Sequence, residues 1–258
     1  LNITGNLLDM TANGGAIGTS GDKIDTNVTQ IVADTTAVDG SGVFINELDG
    51  AADGLAIGTD DILTDGGDVE IISAGDVTSA SGADIETSGE VNTAQDSGAV
   101  TITTSGTAIV NLAGNITTTG ANNNAGNGNT GGDVMLVTNN GTIDVALITT
   151  TGGNATTSGN NGGDAGLLSL DTGSGNTINL DGATITANGG TTVDATAGNG
   201  NNITFADQVM LNTGVTISAT GNTGGDIEFS AGVDGSQTLA VNTDGTTTFG
   251  GAVGNATP

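Results

Sequence analysis

The chain has no cysteine and no histidine, and Lys23 is the only basic residue among its 258 residues. Cysteine nucleophiles, histidine acid–base chemistry and Cys/His zinc sites are therefore excluded. With 29 acidic residues and a net charge of −28, the chain cannot neutralise a nucleic-acid backbone or an anionic membrane surface. We expect no nucleic-acid partner and, because no transmembrane run is present, no membrane insertion by this segment.

Aromatic residues and proline are also scarce. Tryptophan and tyrosine are absent, and the single proline is Pro258, so no strand before it is interrupted by proline. Few residues favour helices, whereas threonine and branched aliphatic residues favour strands. The 47 glycines do not follow a three-residue period, which excludes collagen. This composition predicts an all-β protein.

A degraded repeat built on Gly-Asp runs through the chain. Its aspartates are 65, 31 and 62 residues apart, or two, one and two units of about 31, and a period in this range is typical of a solenoid. The clearest copies are Gly67-Asp68-Val69, Gly132-Asp133-Val134, Gly163-Asp164-Ala165 and Gly225-Asp226-Ile227. The weakened copies are Gly98-Ala99-Val100 and Asn201-Asn202-Ile203.

Within each unit, apolar residues recur at spacings of two in three short segments, which is the periodicity of a strand with one buried face. We predict a parallel β-helix of about 8–13 coils with three short strands per coil, stacked roughly 4.8 Å apart into a rod. The predicted core positions are Val69/Ile71, Val77 and Ile85; Val100/Ile102, Ile109 and Ile116; Val134/Leu136, Ile143/Val145 and Ile148; Leu168/Leu170, Ile178/Leu180 and Ile185; and Ile203/Phe205, Val209/Leu211 and Val215/Ile217.

The repeat predicts one continuous solenoid over residues 1–258, with less regular coils in 1–65 and cleaner repeats of about 31 residues in 66–258. Segments 120–132 and 152–163 are predicted to be mobile loops that project from the same corner of successive coils. Both ends of the chain interrupt repeat-like sequence, so we expect a fragment of a longer polypeptide or a subunit capped by its neighbours.

Several segments resemble the repeats of filamentous-haemagglutinin-like and other giant β-strand-repeat surface exoproteins of bacteria. They are 132–143 (GDVMLVTNNGTI), 148–153 (ITTTGG) and 246–254 (TTTFGGAVG). The similarity covers residues 66–258 and is one of pattern. It implies a right-handed parallel β-helix that is secreted and displayed at the cell surface. The Asn-Pro-Asn motif of the family's secretion domain is absent, so the resemblance implies a stalk or shaft and carries over no functional residue.

Enzymatic activity is not expected. Parallel β-helices host polysaccharide lyases and hydrolases, but lyase sites use arginine or lysine, and hydrolases need two carboxylates across a cleft. Asp22/Asp25 and Asp60-Asp61 are the nominal carboxylate pairs. Adjacent residues of a strand point to opposite faces, so a solvated turn explains Asp60-Asp61 better.

Calcium is the one ligand that the sequence suggests, with Asp133 and Asp164 as candidate ligands. If these aspartates stacked in adjacent coils, a cation between them would relieve their repulsion. The alternative is that aspartate after Gly-Gly caps its own turn. No EF-hand loop or calcium-binding nonapeptide is present.

Thr-x-Thr pairs raise one more possibility, because a flat threonine ladder can order water as ice does. The pairs are Thr101/Thr103, Thr117/Thr119, Thr149/Thr151 and Thr184/Thr186. Their starting positions are 16, 32 and 35 residues apart, and this uneven spacing predicts that they do not form a flat ladder. Threonine that simply packs on the outer face of strands is the expected arrangement.

The expected function is structural, at the cell surface or outside the cell. A rod of this kind would serve as an adhesin stalk or as the subunit of a fibre, sheath or matrix. The expected partners are further copies of the chain, its continuation into a longer polypeptide, or a glycan on a host or other surface. The alternative is a β-helical protein that binds or degrades polysaccharide, although the chain lacks the tryptophan and tyrosine on which sugars usually stack.

Overall fold

The computed structural model describes residues 3–48, 54–173, 175–182 and 184–254. Within these ranges the chain contains 23 strands, all joined in one sheet that winds around a single core. Each strand pairs in parallel with the strand one coil before or after it. The predicted all-β fold class, a parallel β-helix with three strands per coil, is confirmed.

Three faces make up each coil. The first face contains β3 (Val43–Glu47), β5 (Val69–Ser73), β8 (Val100–Thr104), β11 (Val134–Val137), β14 (Leu168–Asp171), β17 (Ile203–Phe205), β20 (Ile227–Phe229) and β23 (Thr247–Phe249). The second face contains β6 (Val77–Ser79), β9 (Val110–Leu112), β12 (Ile143–Val145), β15 (Thr177–Leu180), β18 (Gln208–Leu211) and β21 (Val233–Asp234). The third face contains β7 (Ile85–Glu86), β10 (Ile116–Thr117), β13 (Ile148–Thr149), β16 (Thr184–Thr186), β19 (Val215–Ala219) and β22 (Leu239–Thr243).

The first coils differ because their strands run around corners. They contain β1 (Ile3–Thr11), β2 (Ile24–Asp34) and β4 (Leu55–Leu63). β2 pairs with β3 at one end and with β4 at the other, where the register shifts. β4 then pairs with both β6 and β7, so one strand supplies two faces.

Branched aliphatic side chains stack in columns inside the coil. Val69, Val100, Val134 and Leu168 are paired in register on the first face, and each is at most 1% exposed. These positions and almost all other predicted core positions are confirmed. Ile109 is the exception: Val110 and Leu112 fill the core instead, because the coil enters β9 one residue later than predicted.

The coils are unequal in length, so the predicted period of 31 residues holds only in part. Hydrogen bonds between equivalent positions of adjacent coils give the length of each coil. Asp68 and Ala99 are 31 residues apart in sequence, Asp133 and Leu167 are 34 apart, and Asp226 and Thr246 are 20 apart. The strands nevertheless remain in register, because the differences fall in the connections between them. Unequal sequence spacing is therefore compatible with regular stacking.

Aromatic stacking reinforces the core at later coils. The rings of Phe205 and Phe229 lie 5.0 Å apart and nearly parallel, and Phe249 stacks on Phe229 at 4.9 Å. Phe205 and Phe229 are fully buried. Among the described residues, no helix has the length and apolarity needed to cross a bilayer.

Candidate functional site

A lobe projects from the corner between the third and first faces. We call it the fin, and it consists of residues 119–131, 151–165 and 188–200 of three successive coils. It contains residues 120–131 of the predicted mobile loop 120–132 and all of the predicted mobile loop 152–163. Their projection from one corner is confirmed, but each fin loop is hydrogen-bonded to the next: the amide of Gly128 donates to Asn161 O at 2.8 Å, and that of Gly162 to Thr196 O at 3.0 Å.

A buried threonine closes the base of the fin loops. Thr118 is fully buried, and its hydroxyl donates to Gly132 O at 2.6 Å while its carbonyl accepts the amide of Gly132 at 2.8 Å. Thr150 and Gly166 repeat both bonds in the next coil, at 2.8 and 2.7 Å. Two bonds between one pair of residues fix the direction in which each loop leaves the rod.

Backbone hydrogen bonds cross the fin in an unbroken series. The amide of Gly153 donates to Asn129 O, that of Gly163 to Gly153 O, that of Gly190 to Gly163 O and that of Gly198 to Gly190 O, with distances of 2.8 to 2.9 Å. The series alternates between steps within a coil and steps between coils. A Cβ atom on Gly163 would lie 1.9 Å from the carbonyl oxygen of Asn129, so only glycine permits this approach.

Asparagine side chains form a second set of contacts along the fin. Asn122 Oδ1 accepts the amide of Asn154 at 2.8 Å, and Asn154 Oδ1 accepts the amide of Thr191 at 2.7 Å. Asn127 and Asn161 act in the same way on the return side of the loops. These side chains supply acceptors for amides that lie outside the strands, which explains the asparagine content of the segments.

A polar groove of about 340 Å³ runs beside the return side of the fin. Its lining includes Asn127, Thr130, Asn161, Asp164 and Asn199. Amide and hydroxyl groups in a row can hydrogen-bond a hydroxyl-rich ligand. The carboxylate of Asp164 is partly used, because Oδ1 accepts the amide of Asn199 at 2.7 Å.

The structure does not stack Asp133 on Asp164. The residue aligned with Asp133 in the next coil is Leu167, whose amide donates to Asp133 Oδ1 at 2.7 Å. Asp164 lies in another column, where its carbonyl accepts the amide of Gly131. The predicted stacking of Asp133 on Asp164, on which the calcium hypothesis depended, is therefore wrong. Each carboxylate instead accepts a hydrogen bond from a backbone amide of the following coil.

This placement also corrects the repeat. The column of Asp68 contains Ala99, Asp133, Leu167, Asn202 and Asp226. The weakened copies at residues 98–100 and 201–203 are thus confirmed. Gly163-Asp164-Ala165 is not a member, because it belongs to the fin that precedes the first face.

The other nominal carboxylates lie in or next to the long strands of the first coils: Asp60 and Asp61 are part of β4, Asp25 is part of β2, and Asp22 lies at a turn before β2. Asp60 is exposed, and Asp61 has a left-handed φ of 69° and accepts the amide of Asp84 at 2.8 Å. Asp22 closes a tight turn with Thr19, while Asp25 accepts a hydrogen bond from a neighbouring asparagine side chain. The carboxylates of Asp61 and Asp25 thus each accept a hydrogen bond within the fold.

Sequence reasoning missed one acidic cluster, which no local motif announces. Carboxylate oxygens of Asp39, Asp65 and Glu90 lie within 4.8 Å of one another, on three successive coils. Burial, and then the charges of Asp39 and Glu90, raise the pKa of Asp65 above its ordinary value. Carboxylate oxygens are ligands that Ca²⁺ prefers, but exposed acidic groups also gather in this way without an ion.

Comparison with protein-family models, with curated proteins and with solved structures gives no match to this chain. The resemblance to filamentous-haemagglutinin-like exoproteins therefore remains a sequence-based expectation. Function has to be argued from the rod, the fin and the outer faces themselves.

Proposed function

We propose that this chain is a structural protein of the cell surface or extracellular space, whose rod serves as an adhesin stalk or as the subunit of a fibre, sheath or matrix. The observation that carries the proposal is the continuity of the β-helix. One buried cluster extends from Ile17 to Val233, and strand pairing is unbroken from β1 to β23 among the described residues.

Continuity matters because a solenoid resists bending and shear only where neighbouring coils are joined. Here three faces of backbone hydrogen bonds run along the rod axis, and the core fills the space between the faces. Asn and Asp side chains add bonds between coils outside the strands, as at Asp68 and Ala99. These contacts suit a protein with a mechanical role, in which a rigid rod keeps the groups at its two ends a fixed distance apart.

The surface charge supports the same role. A net charge of −28 keeps a protein soluble and opposes nonspecific lateral association. Lys23, the single cation, is paired with Glu70 at 3.0 Å. An acidic rod with almost no cations is suited to the outside of a cell, where it would connect to further copies or to the rest of a longer polypeptide.

Immunogold electron microscopy of the producing cells tests this proposal. Antibody against this segment should label continuous fibres or a sheath if the chain is an assembling subunit, and isolated projecting rods if it is a stalk. Label confined to the cell interior would contradict both forms. The control is antibody preabsorbed with the purified segment, which should remove the label.

The groove beside the fin favours one second candidate, polysaccharide binding. Its row of amide and hydroxyl groups faces solvent and repeats along the rod axis, as a repeating glycan would require. A glycan array tests it, with Asn161→Ala as the groove variant and Asn111→Ala, on the second face, as the matched control. Equal binding by both variants, or no binding by the parent chain, would remove this candidate.

A further inference from the structure

A two-dimensional array of uncharged polar side chains, most of them hydroxyl-bearing, lies on the third face and continues into the start of the fin. Thr117, Thr149, Thr186 and Ser218 are paired in register on β10, β13, β16 and β19. Two residues further on, Thr119, Thr151, Asn188 and Thr220 align in the same order, because their backbones continue the ladder. The threonines are half-buried and Ser218 is 7% exposed.

This alignment overturns the expectation drawn from sequence spacing. The coils at this level are 32, 37 and 32 residues long, but the differences lie in the fin and the other connections. The start of the pair Thr184/Thr186 is also out of phase by two residues, since Thr186, and not Thr184, aligns with Thr149. The uneven Thr-x-Thr spacing is therefore compatible with a flat ladder.

The array is uncharged in a strongly acidic protein. Its columns contain only threonine, serine and asparagine from Thr117 to Thr220, and acidic residues stand at its borders: Glu86 aligns with Thr117 one coil before, and Asp244 follows β22 one coil after. The first face, by contrast, places Glu228 beside Thr204 on adjacent coils. An uncharged surface does not attract counterions, so water can lie directly against it.

Hydrogen bonds of the inward threonines and of Asn188 restrain the backbone and some side chains of the array. Between the paired columns, Thr118 and Thr150 point inward and are fixed by the bonds at the base of the fin. On the surface, Asn188 Oδ1 accepts the hydroxyl of Ser218 at 2.8 Å and that of Thr220 at 3.1 Å. The hydroxyl groups of Ser218 and Thr220 are thus held in position by Asn188.

We propose that this face binds ordered water, and through it the surface of an ice crystal. Groups on adjacent strands are about 4.8 Å apart and groups two residues apart along a strand about 6.6 Å apart, a rectangular net similar in size to the oxygen net of an ice prism surface. At the six threonine positions, each side chain offers a hydroxyl for water and a methyl group that packs against the lattice. This activity is separate from the structural role and does not depend on it.

Ice-growth assays on the purified chain test the proposal. The parent protein should lower the freezing point of a solution without lowering its melting point, and should suppress ice recrystallisation. Thr149→Lys combined with Thr186→Lys, at the centre of the array, should remove most of both effects. Thr204→Lys, an outward threonine of the first face, is the matched control and should keep them.

Circular dichroism and the thermal midpoint of each variant establish that the fold is retained. If the double lysine variant does not fold, Thr149→Val, which keeps the side-chain shape and removes only the hydroxyl, should give a partial loss. A parent chain with no effect on ice growth would overturn the proposal. Equal losses in the array variants and in Thr204→Lys would do so as well.

Discussion

Replacing Gly163 by alanine should weaken the fin and the coils that it joins. Gly163 donates its amide to Gly153 O and accepts the amide of Gly190, both at 2.8 Å. The added Cβ would lie 1.9 Å from the backbone oxygen of Asn129, well inside van der Waals contact. The obstacle is backbone, so no side-chain rotation can relieve it.

The magnitude follows from two contributions. Forcing extra volume into a packed site costs typically about 1–3 kcal/mol, and each of the two backbone bonds contributes about 0.5–1.5 kcal/mol. We therefore expect Gly163→Ala to lower the free energy of unfolding by about 2–6 kcal/mol. For a chain of this size, that corresponds to a fall in Tm of the order of 10 °C.

Calorimetry and urea denaturation measure this effect, with Gly126→Ala as the control. Gly126 lies at the tip of the same fin, where an added Cβ would be 3.3 Å from the Asn123 side chain, a contact that the side chain can relieve. Its substitution should change stability by less than about 1 kcal/mol. Equal stability of the two variants would refute the assignment of the glycine series as a structural contact.

Three further substitutions test other parts of the fold. Thr118→Val keeps the shape of a buried side chain but leaves Gly132 O without its hydroxyl donor, so we expect a loss of about 1–3 kcal/mol in urea denaturation; an unchanged midpoint would contradict the role of this bond. Phe229→Ala removes the central ring of the aromatic stack and should cost about 3–5 kcal/mol by the same assay, whereas a loss below about 1 kcal/mol would mean that the stack contributes little. Asp65→Asn should stabilise the chain at neutral pH, because the raised pKa of Asp65 means that folding disfavours the charged form of this carboxyl. The advantage of the variant should shrink as the pH falls from the raised pKa of the folded state towards the ordinary pKa, since the wild-type carboxyl then becomes neutral. Thermal midpoints measured across the acidic range check the last prediction, and a constant difference at every pH would contradict it.

The core of the rod was predictable because it depends on local alternation. Val134/Leu136 and Ile143/Val145 are buried as their spacing of two requires. Ile109 was misplaced although polar Asn111 separates Val110 from Leu112, an alternation that favours Val110 and Leu112 as the inward pair. Core positions are therefore predictable wherever one phase of the alternation is clearly more apolar.

The alignment of residues between successive coils was much less predictable from the sequence. A Gly-Gly-Asp triplet marks a turn of suitable chemistry, but Asp164 uses it inside the fin while Asp133 uses it at the start of β11. Connections of different length shift one motif against the next, and sequence distance alone does not show where the extra residues lie. The same cause hid the alignment of Thr117 with Thr149 and Thr186.

The fin itself could be placed but not described from sequence. Runs of glycine and asparagine correctly indicated segments outside the strands, and their common corner followed from the repeat. Their order comes from contacts between coils, such as Gly190 to Gly163 and Asn154 to Asn122. Those contacts join residues about one coil apart, so no local pattern reveals them.

A distance between two spin labels gives the most direct test of the continuous rod. Thr101 and Thr248 occupy one outward column of the first face, linked through Met135, Ser169, Thr204 and Glu228 in successive registers. The chain has no cysteine, so Thr101→Cys and Thr248→Cys would be the only labelling sites. The account predicts a single narrow distribution near 24 Å, five strand spacings of about 4.8 Å, widened only by the label linkers. A broad distribution, or one centred far from this value, would show that the coils are not stacked as one rod and would contradict the account.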